Sequence, residues 1–174
     1  MKAISIFLGL VVGLLVFNSQ STLAESSSEP QFLNVVVYLQ PTGKTISLER
    51  QTASVQTNKI ALGFGGAKQI ASVAGSKSTV QLTTGEVHEF AVKLPSGIDP
   101  SKFELFKLDS VEDHREVVLG QVGYISKGSG MGRAPFDIAS FGSSYKFITA
   151  ASLPPGEYGF SANDSQDMYC FENK

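Results

Sequence analysis

A glycine-rich segment late in the chain has the residue types of an anion-binding loop. It runs Lys127-Gly-Ser-Gly-Met-Gly-Arg133, and such loops can direct backbone N–H groups at an anion while the flanking Lys and Arg add positive charge. Its spacing is not G-x-G-x-x-G, however, and Pro135 follows it where a nucleotide site would need the start of a helix. The pattern therefore predicts a loop between strands, with Lys127, Ser129 and Arg133 as candidates for contacting an anion or a partner.

The single cysteine, Cys170, has no partner for a disulfide within the chain. It lies in the apolar run Met168-Tyr-Cys-Phe171, which is typical of a terminal strand. Free cysteine is among the most buried residue types, so the run favours a buried, inert thiol. A disulfide to a second chain is the alternative, whereas a catalytic thiol would need a nearby base that the sequence cannot place.

The histidines and acidic residues form no recognisable catalytic or metal-binding pattern. No G-x-S-x-G motif accompanies His88 or His114, and His114 lies in a charged segment, residues 109–116, that is typical of a solvated turn. Two histidines without cysteine partners make a poor zinc set, and Asn163-Asp-Ser-Gln-Asp167 lacks the glycine and glutamate of a calcium loop. We therefore predict no catalytic residue, no metal site and no cofactor, although a pair of carboxylates could converge in the fold.

The first 24 residues have the three parts of a secretory signal peptide. Lys2 precedes an apolar run over residues 3–17, and a polar stretch of small residues closes the segment at Ala24. The apolar run is about five residues shorter than the roughly 20 that span a bilayer, and no Lys or Arg follows it until Lys44. We predict cleavage after Ala24, with an uncleaved N-terminal anchor as the alternative, so the protein would be secreted or periplasmic.

Composition limits the remaining 150 residues to one globular domain. Residues 25–31 are predicted to form a flexible lead-in, and residues 32–174 a single domain. The mature chain would carry 13 basic and 16 acidic residues, a net charge of −3, which provides no electrostatic footprint for nucleic acid. The expected partner is another protein or an envelope component, and a membrane is a partner only if the signal peptide is retained.

Almost every segment of the predicted domain has the pattern of a β-strand. Residues 32–49 are predicted to form a hairpin, and in a later strand the alternation places Phe90, Val92 and Leu94 on the inward face. Gly120, inside another strand, predicts a bulge. Roughly ten to twelve short strands, with turns about every 8–12 residues, predict one antiparallel β-sandwich or barrel-like domain.

The second half of the chain resembles an uncharacterised group of secreted bacterial proteins. These proteins have a Gly-Glu-Tyr-x-Phe penultimate strand and an aromatic terminal strand. The resemblance covers roughly residues 90–171 and is carried by Asp99-Pro100, Phe103-x-Leu105-x-Lys107-Leu108, Arg115-Glu116, Gly156-Glu-Tyr-x-Phe160 and Tyr169-Cys-Phe171. It implies an all-β fold and transfers no activity or catalytic residue.

Three functions are compatible with these patterns. The leading expectation is an exported, non-enzymatic β-sandwich that binds a partner or has a structural role in the envelope. The second is a small secreted hydrolase that uses Asp or Glu residues on loops. The third is an inhibitor or envelope-stress protein that binds another protein by edge-strand addition.

Overall fold

The computed structural model describes five stretches of the chain: residues 29–60, 66–122, 128–129, 132–162 and 165–174. The predicted signal peptide, the first part of the lead-in and Lys127 lie outside the described residues. Apart from one 3-10 turn, Pro100–Lys102, the described secondary structure is all-β. No helix in this part of the chain has the length and apolar character needed to cross a membrane.

The described residues form fifteen strands, which are in chain order β1 (Val36–Leu39), β2 (Thr45–Ser47), β3 (Glu49–Thr52), β4 (Ser54–Ile60), β5 (Gly66–Ala74), β6 (Gln81–Leu82), β7 (Glu89–Val92), β8 (Phe103–Val111), β9 (His114–Val122), β10 (Gly128–Ser129), β11 (Arg133–Ala134), β12 (Phe136–Phe141), β13 (Ser144–Thr149), β14 (Gly156–Ala162) and β15 (Asp167–Asn173). The sequence predicts fewer strands, because β10 and β11 are each two residues long and too short to show an alternating pattern, and because β4 is mostly polar. The predicted hairpin is present as the antiparallel pair β1–β2.

The strands form two sheets. One has five antiparallel strands in the order β12-β13-β7-β1-β2, and the other has ten strands with the main order β3-β15-β14-β8-β9-β5-β4. The second sheet curls into a half-barrel, and its pairings are antiparallel apart from the parallel pair β6–β15. The predicted all-β fold is therefore confirmed. The curled sheet is one layer of a two-sheet sandwich and also forms the half-barrel.

The sandwich core lies between the two sheets and is dominated by aromatic side chains. Phe90 of β7 packs against Phe160 and Phe171 of the curled sheet, with ring centroids 5.0 and 4.9 Å apart. These separations are favourable for aromatic pairs. The predicted inward residues Phe90, Val92 and Leu94 are all buried in this core, which confirms the alternation read from the sequence.

Strands β8, β14 and β15 also bury their opposite faces, which form the interior of the half-barrel. This second core includes Phe106, Leu108, Met168 and Cys170. A Cβ atom at Gly159 of β14 would lie 2.5 Å from the Cγ atom of Met168. Because Gly159 has no side chain, Met168 can pack directly over the β14 backbone.

The curled sheet splits between β8 and β9, and the glycine-rich segment fills the split. The two strands pair only beside their hairpin turn. Farther along, β10 pairs with β9 and β11 pairs with β8. The register of β9 against β5 skips Leu119, next to Gly120, where the sequence predicts a bulge.

The stretch from β3 to β4 joins the two ends of the curled sheet. β3 pairs with β15, the Ala53 N–H donates to the Gln166 carbonyl at 2.7 Å, and β4 then pairs with β5. Beyond Ala53, β4 is the last strand of the sheet within the described residues. The half-barrel is therefore closed beside β3 and open beyond Ala53, between β4 and β15.

Residues 29–34, the N-terminal arm, lie against the outer face of the five-stranded sheet. Glu29 accepts hydrogen bonds from the Ser143 N–H at 3.1 Å and the Ser143 Oγ at 2.7 Å. The Asn34 N–H donates to the Lys93 carbonyl at 2.8 Å, and Pro30 between these anchors is buried. The last residues of the predicted lead-in are thus in contact with the domain.

Candidate functional site

One end of the half-barrel interior is occupied by a buried arginine. The side chain of Arg115 is fully buried. Its Nε donates to the Gly75 carbonyl at 2.8 Å and its Nη2 to the Ala74 carbonyl at 2.9 Å. The same guanidinium forms ion pairs with Glu49 at 2.9 Å and Glu157 at 3.3 Å. We call Arg115, Glu49, Glu157 and Ser78, which bridges Arg115 and Glu157, the guanidinium cluster.

The two carboxylates of the guanidinium cluster converge on one guanidinium, and their contacts give them a structural role. Burial opposes the charge of Glu49, yet hydrogen bonds from Thr79, Gln51 and Arg115 hold the pKa of this carboxyl below its ordinary value. A general acid would need the opposite shift. The cluster instead neutralises a buried charge and ties β9 to β3 and β14. Arg115 and the glutamate of the Gly-Glu-Tyr motif are also among the residues that carry the resemblance.

A pocket lies at the open end of the half-barrel, four residues from the guanidinium cluster along β9 and β14. We call it the open-end pocket, and its volume is about 170 Å³. Apolar side chains form most of its wall, and polar or charged ones stand at its rim. Its lining consists of Ala53, Val55, Ala71, Phe106, Leu119, Ala162 and Met168 together with Glu104, Arg133, Ser161, Ser165 and Gln166.

The charged part of the rim is a paired arginine and glutamate. Arg133 Nη2 lies 2.9 Å from Glu104 Oε1, and Arg133 Nε donates to Glu104 Oε2 at 3.0 Å. This two-point contact is the geometry that arginine and carboxylate groups favour. It leaves the rim electrically neutral, so the pocket is better suited to an uncharged apolar group than to an isolated ion.

The glycine-rich segment positions Arg133 through close packing. The backbone of β11 pairs Arg133 with Phe106. The preceding residue, Gly132, has a φ of 86°, and a Cβ atom there would lie 2.7 Å from Val117 Cγ2. A residue with a side chain would meet both a steric and a conformational barrier at this position. The glycine therefore allows the segment to enter the split between β8 and β9.

The three predicted loop residues have different places in the structure. Arg133 lies on the rim of the open-end pocket. Ser129 belongs to β10, where its backbone pairs with Gly120 of β9. Lys127 lies outside the described residues. The described residues 128–129 and 133–134 of the segment are thus in strands and do not form one continuous loop. The partner of Arg133 is Glu104, which no sequence motif indicates.

Cys170 is fully buried inside the half-barrel. Burial raises the pKa of the Cys170 thiol to about 12, so the reactive thiolate is strongly disfavoured. The predicted alternative, a disulfide to a second chain, would require the half-barrel interior to open.

The two histidines occupy separate environments. His114 lies at the start of β9, where a hydrogen bond that its Nδ1 donates to the Asp113 carboxylate raises its pKa. His88 is buried in the sandwich core, with its Nε2 atom 3.2 Å from Asn173 Oδ1. Because the Asn173 amide nitrogen donates to Leu153, its oxygen accepts and His88 carries a proton on Nε2. His88 and Phe90 are two residues apart, so their side chains lie on the same face of the chain, and the burial of His88 could have been predicted from this spacing.

Comparisons with protein-family models, with curated proteins and with solved structures find no match to this chain. The functional interpretation therefore starts from the geometry of the open-end pocket.

Proposed function

We propose that the protein is an exported, non-enzymatic binding protein that docks another protein or an envelope component at the open end of the half-barrel. The open-end pocket is the observation that carries this proposal. A dry cavity of about 150 Å³ can hold benzene. A pocket of about 170 Å³ would therefore receive one apolar side chain or ring of the partner.

The composition of the pocket supports a role as an anchor point within a larger interface. Its wall includes Phe106 and Met168, while Val55 at its margin is 45% exposed. Burial of one large apolar side chain contributes roughly 1.5–3 kcal/mol. That free energy corresponds to about 10- to 150-fold in affinity, so further contacts around the rim would supply the rest.

Export rests on the predicted signal peptide, and the way the domain is stabilised is compatible with it. The described residues contain three buried hydrophobic clusters and a buried ion-pair cluster, and the chain's single cysteine excludes an internal disulfide. Such a domain can fold in either a reducing or an oxidising compartment.

The experiment compares two tryptophan variants of the mature protein. Val55→Trp would fill the open-end pocket, whereas Val111→Trp is a matched control because Val111 is also exposed and lies at the far end of β8, about 23 Å from Glu104 along the strand. Immobilised proteins are incubated with envelope extract of the source organism, and N-acetylphenylalaninamide is titrated separately by NMR.

We expect Val111→Trp and the unmodified protein to recover the same partner and Val55→Trp to lose it. The phenylalanine probe should shift the amide resonances of Ala71 and Ala162 in the unmodified protein but not in Val55→Trp. Equal recovery by both variants, or no shift at these alanines, would contradict the proposal.

A further inference from the structure

The edge of the curled sheet next to the open-end pocket is unusually open. Strand β4 has seven residues and, among the described strands, pairs with β5 alone. Residues 54–59 are all exposed, so neither face of the strand is covered. The other described edges are shorter: β2 has three residues, β3 has four, and β12 has six with Pro135 immediately before it. Long edges without proline are templates for pairing with another strand.

Two hydrogen bonds show which backbone groups of β4 point outward. The Ala53 N–H donates to Gln166, away from β5, whereas the Ser54 carbonyl accepts from the Ser72 hydroxyl of β5. Backbone groups alternate in direction along a strand. The N–H and C=O groups of the odd-numbered residues Val55, Thr57 and Lys59 therefore face away from β5, toward the opening.

The side chains of β4 indicate what kind of strand would fit. Val55 and its cross-strand partner Ala71 line the open-end pocket, so the side chain of Lys59, four residues farther on, projects from the same face. Residues 54–74 contain Lys59 and Lys68 and no acidic residue, in a chain whose net charge is −2. Within the described part of the chain, neither lysine forms an ion pair.

We propose that β4 receives an extended segment of the partner as an added antiparallel strand. An apolar side chain of that segment would lie opposite Val55 and enter the open-end pocket, and an Asp or Glu would lie opposite Lys59. Main-chain hydrogen bonds would supply affinity, and these two side chains would supply selectivity. This inference rests on the proposed function, because it names how the partner uses the same pocket.

Charge favours a different protein over a second copy of this chain. In antiparallel pairing centred on Thr57, β4 of another copy would place its Val55 opposite Lys59, and the acid-free hairpin would provide no carboxylate for either lysine. An acidic segment instead makes a favourable cross-strand pair with Lys59.

The test uses a fluorescein-labelled peptide, Thr-Asp-Thr-Thr-Thr-Phe-Thr, capped at both ends. In antiparallel register its Asp lies opposite Lys59 and its Phe opposite Val55. Anisotropy titrations compare Thr57→Pro, which removes one outward N–H, with Thr57→Val, which keeps it. They also compare Lys59→Glu with the control Lys68→Glu on the opposite face. Circular dichroism verifies that each variant is folded.

We expect Thr57→Pro to weaken peptide binding at least about tenfold and Thr57→Val to leave it within about twofold. Lys59→Glu should reverse the preference between this peptide and one with Lys in place of Asp, and Lys68→Glu should not. A peptide N-methylated at its central Thr should bind at least about tenfold more weakly to the unmodified protein, which provides a measurement that does not depend on a folded proline variant.

The outcomes separate this inference from the proposed function. Equal binding of the N-methylated and unmethylated peptides would overturn strand addition while leaving the pocket proposal intact if Val55→Trp still abolishes binding. Unchanged peptide binding by Val55→Trp would overturn the pocket proposal. A dimer of the protein alone that Thr57→Pro dissociates, detected by sedimentation, would show that β4 pairs with a second copy and would overturn the assignment to an acidic partner.

Discussion

Replacement of Arg115 by methionine should be the most destabilising single change that leaves the apolar cores intact. Arg115→Met keeps an unbranched side chain of similar length but removes the charge that Glu49 and Glu157 share. Both carboxylates are nearly inaccessible, with side-chain exposures of 12% and 5%. Removal of the guanidinium therefore leaves two carboxylates with little access to water.

The magnitude follows from the contacts that are lost. Removal of one partner of a buried ion pair costs roughly 3–5 kcal/mol. The carbonyls of Ala74 and Gly75 also lose their donors, which adds about 1 kcal/mol because both carbonyls lie beside a turn that water can reach. We therefore expect the free energy of unfolding at pH 7 to fall by about 4–6 kcal/mol, a large part of the total stability of a typical domain.

The pH dependence provides a second test with a definite sign. The pKa of Glu49 is held below its ordinary value of 4.5 in the folded protein, so its contribution to stability is complete above that value and is lost as the pH falls through the lowered pKa. In Arg115→Met the unpaired carboxylates are easier to bury once protonated. The difference in stability between the two proteins should therefore shrink on acidification from pH 7 to pH 4.

The assay is urea unfolding followed by far-UV circular dichroism, since the chain has no tryptophan. Arg133→Met is the matched control, because its ion pair with Glu104 is exposed and should contribute less than about 1 kcal/mol. Adding Glu157→Gln to Arg115→Met should recover about 2 kcal/mol, because it removes one uncompensated charge. A loss below about 1 kcal/mol for Arg115→Met, or a difference that widens on acidification, would refute this reasoning.

Three further predictions concern other parts of the molecule. At pH 8, Cys170 should react with a thiol reagent at least about 1000-fold more slowly in the native protein than in the urea-unfolded chain, since a pKa of about 12 leaves roughly one thiolate in 10⁴; a comparable native rate would show that the interior is open. Gly142→Ala should release Glu29 and expose the N-terminal arm to limited proteolysis, because a Cβ at Gly142 would lie 1.7 Å from Glu29 Oε1. Gly85→Ala should not, because Gly85 also has a positive φ, 86° against 58° at Gly142, but a Cβ there would contact nothing within 4 Å. Asn173→Ala should lower the free energy of unfolding by about 1–3 kcal/mol in thermal or urea denaturation, because it leaves its buried hydrogen-bond partners unsatisfied; an unchanged stability would mean that water replaces the amide.

Residues that alternate within one strand could be assigned from the sequence. Phe90, Val92 and Leu94 are inward as predicted, and the irregularity at Gly120 is present. His88 belongs to the same inward set by its spacing from Phe90, although its side chain is polar. Alternation of apolar and polar side chains depends only on neighbouring residues, so it can be recognised in any strand that is long enough to repeat it.

The contacts that join distant strands could not be predicted in this way. Arg115 and Glu157 meet because β9, β8 and β14 are neighbours in the curled sheet. An arginine beside a glutamate in an isolated strand pattern is typical of a solvated face, and only the strand order shows that this arginine is enclosed. The same holds for Arg133 and Glu104, whose pairing depends on β11 entering the split between β8 and β9.

By itself, the sequence determined the all-β class of the domain and the inward faces of its longer strands, and it predicts export. The tertiary structure decided the rest: the curl of the second sheet, the guanidinium cluster at one end of it, the open-end pocket at the other and the unpaired edge of β4. The division has a physical reason. Side-chain alternation depends on neighbouring residues, whereas strand order, register and closure depend on pairings between residues far apart in the chain.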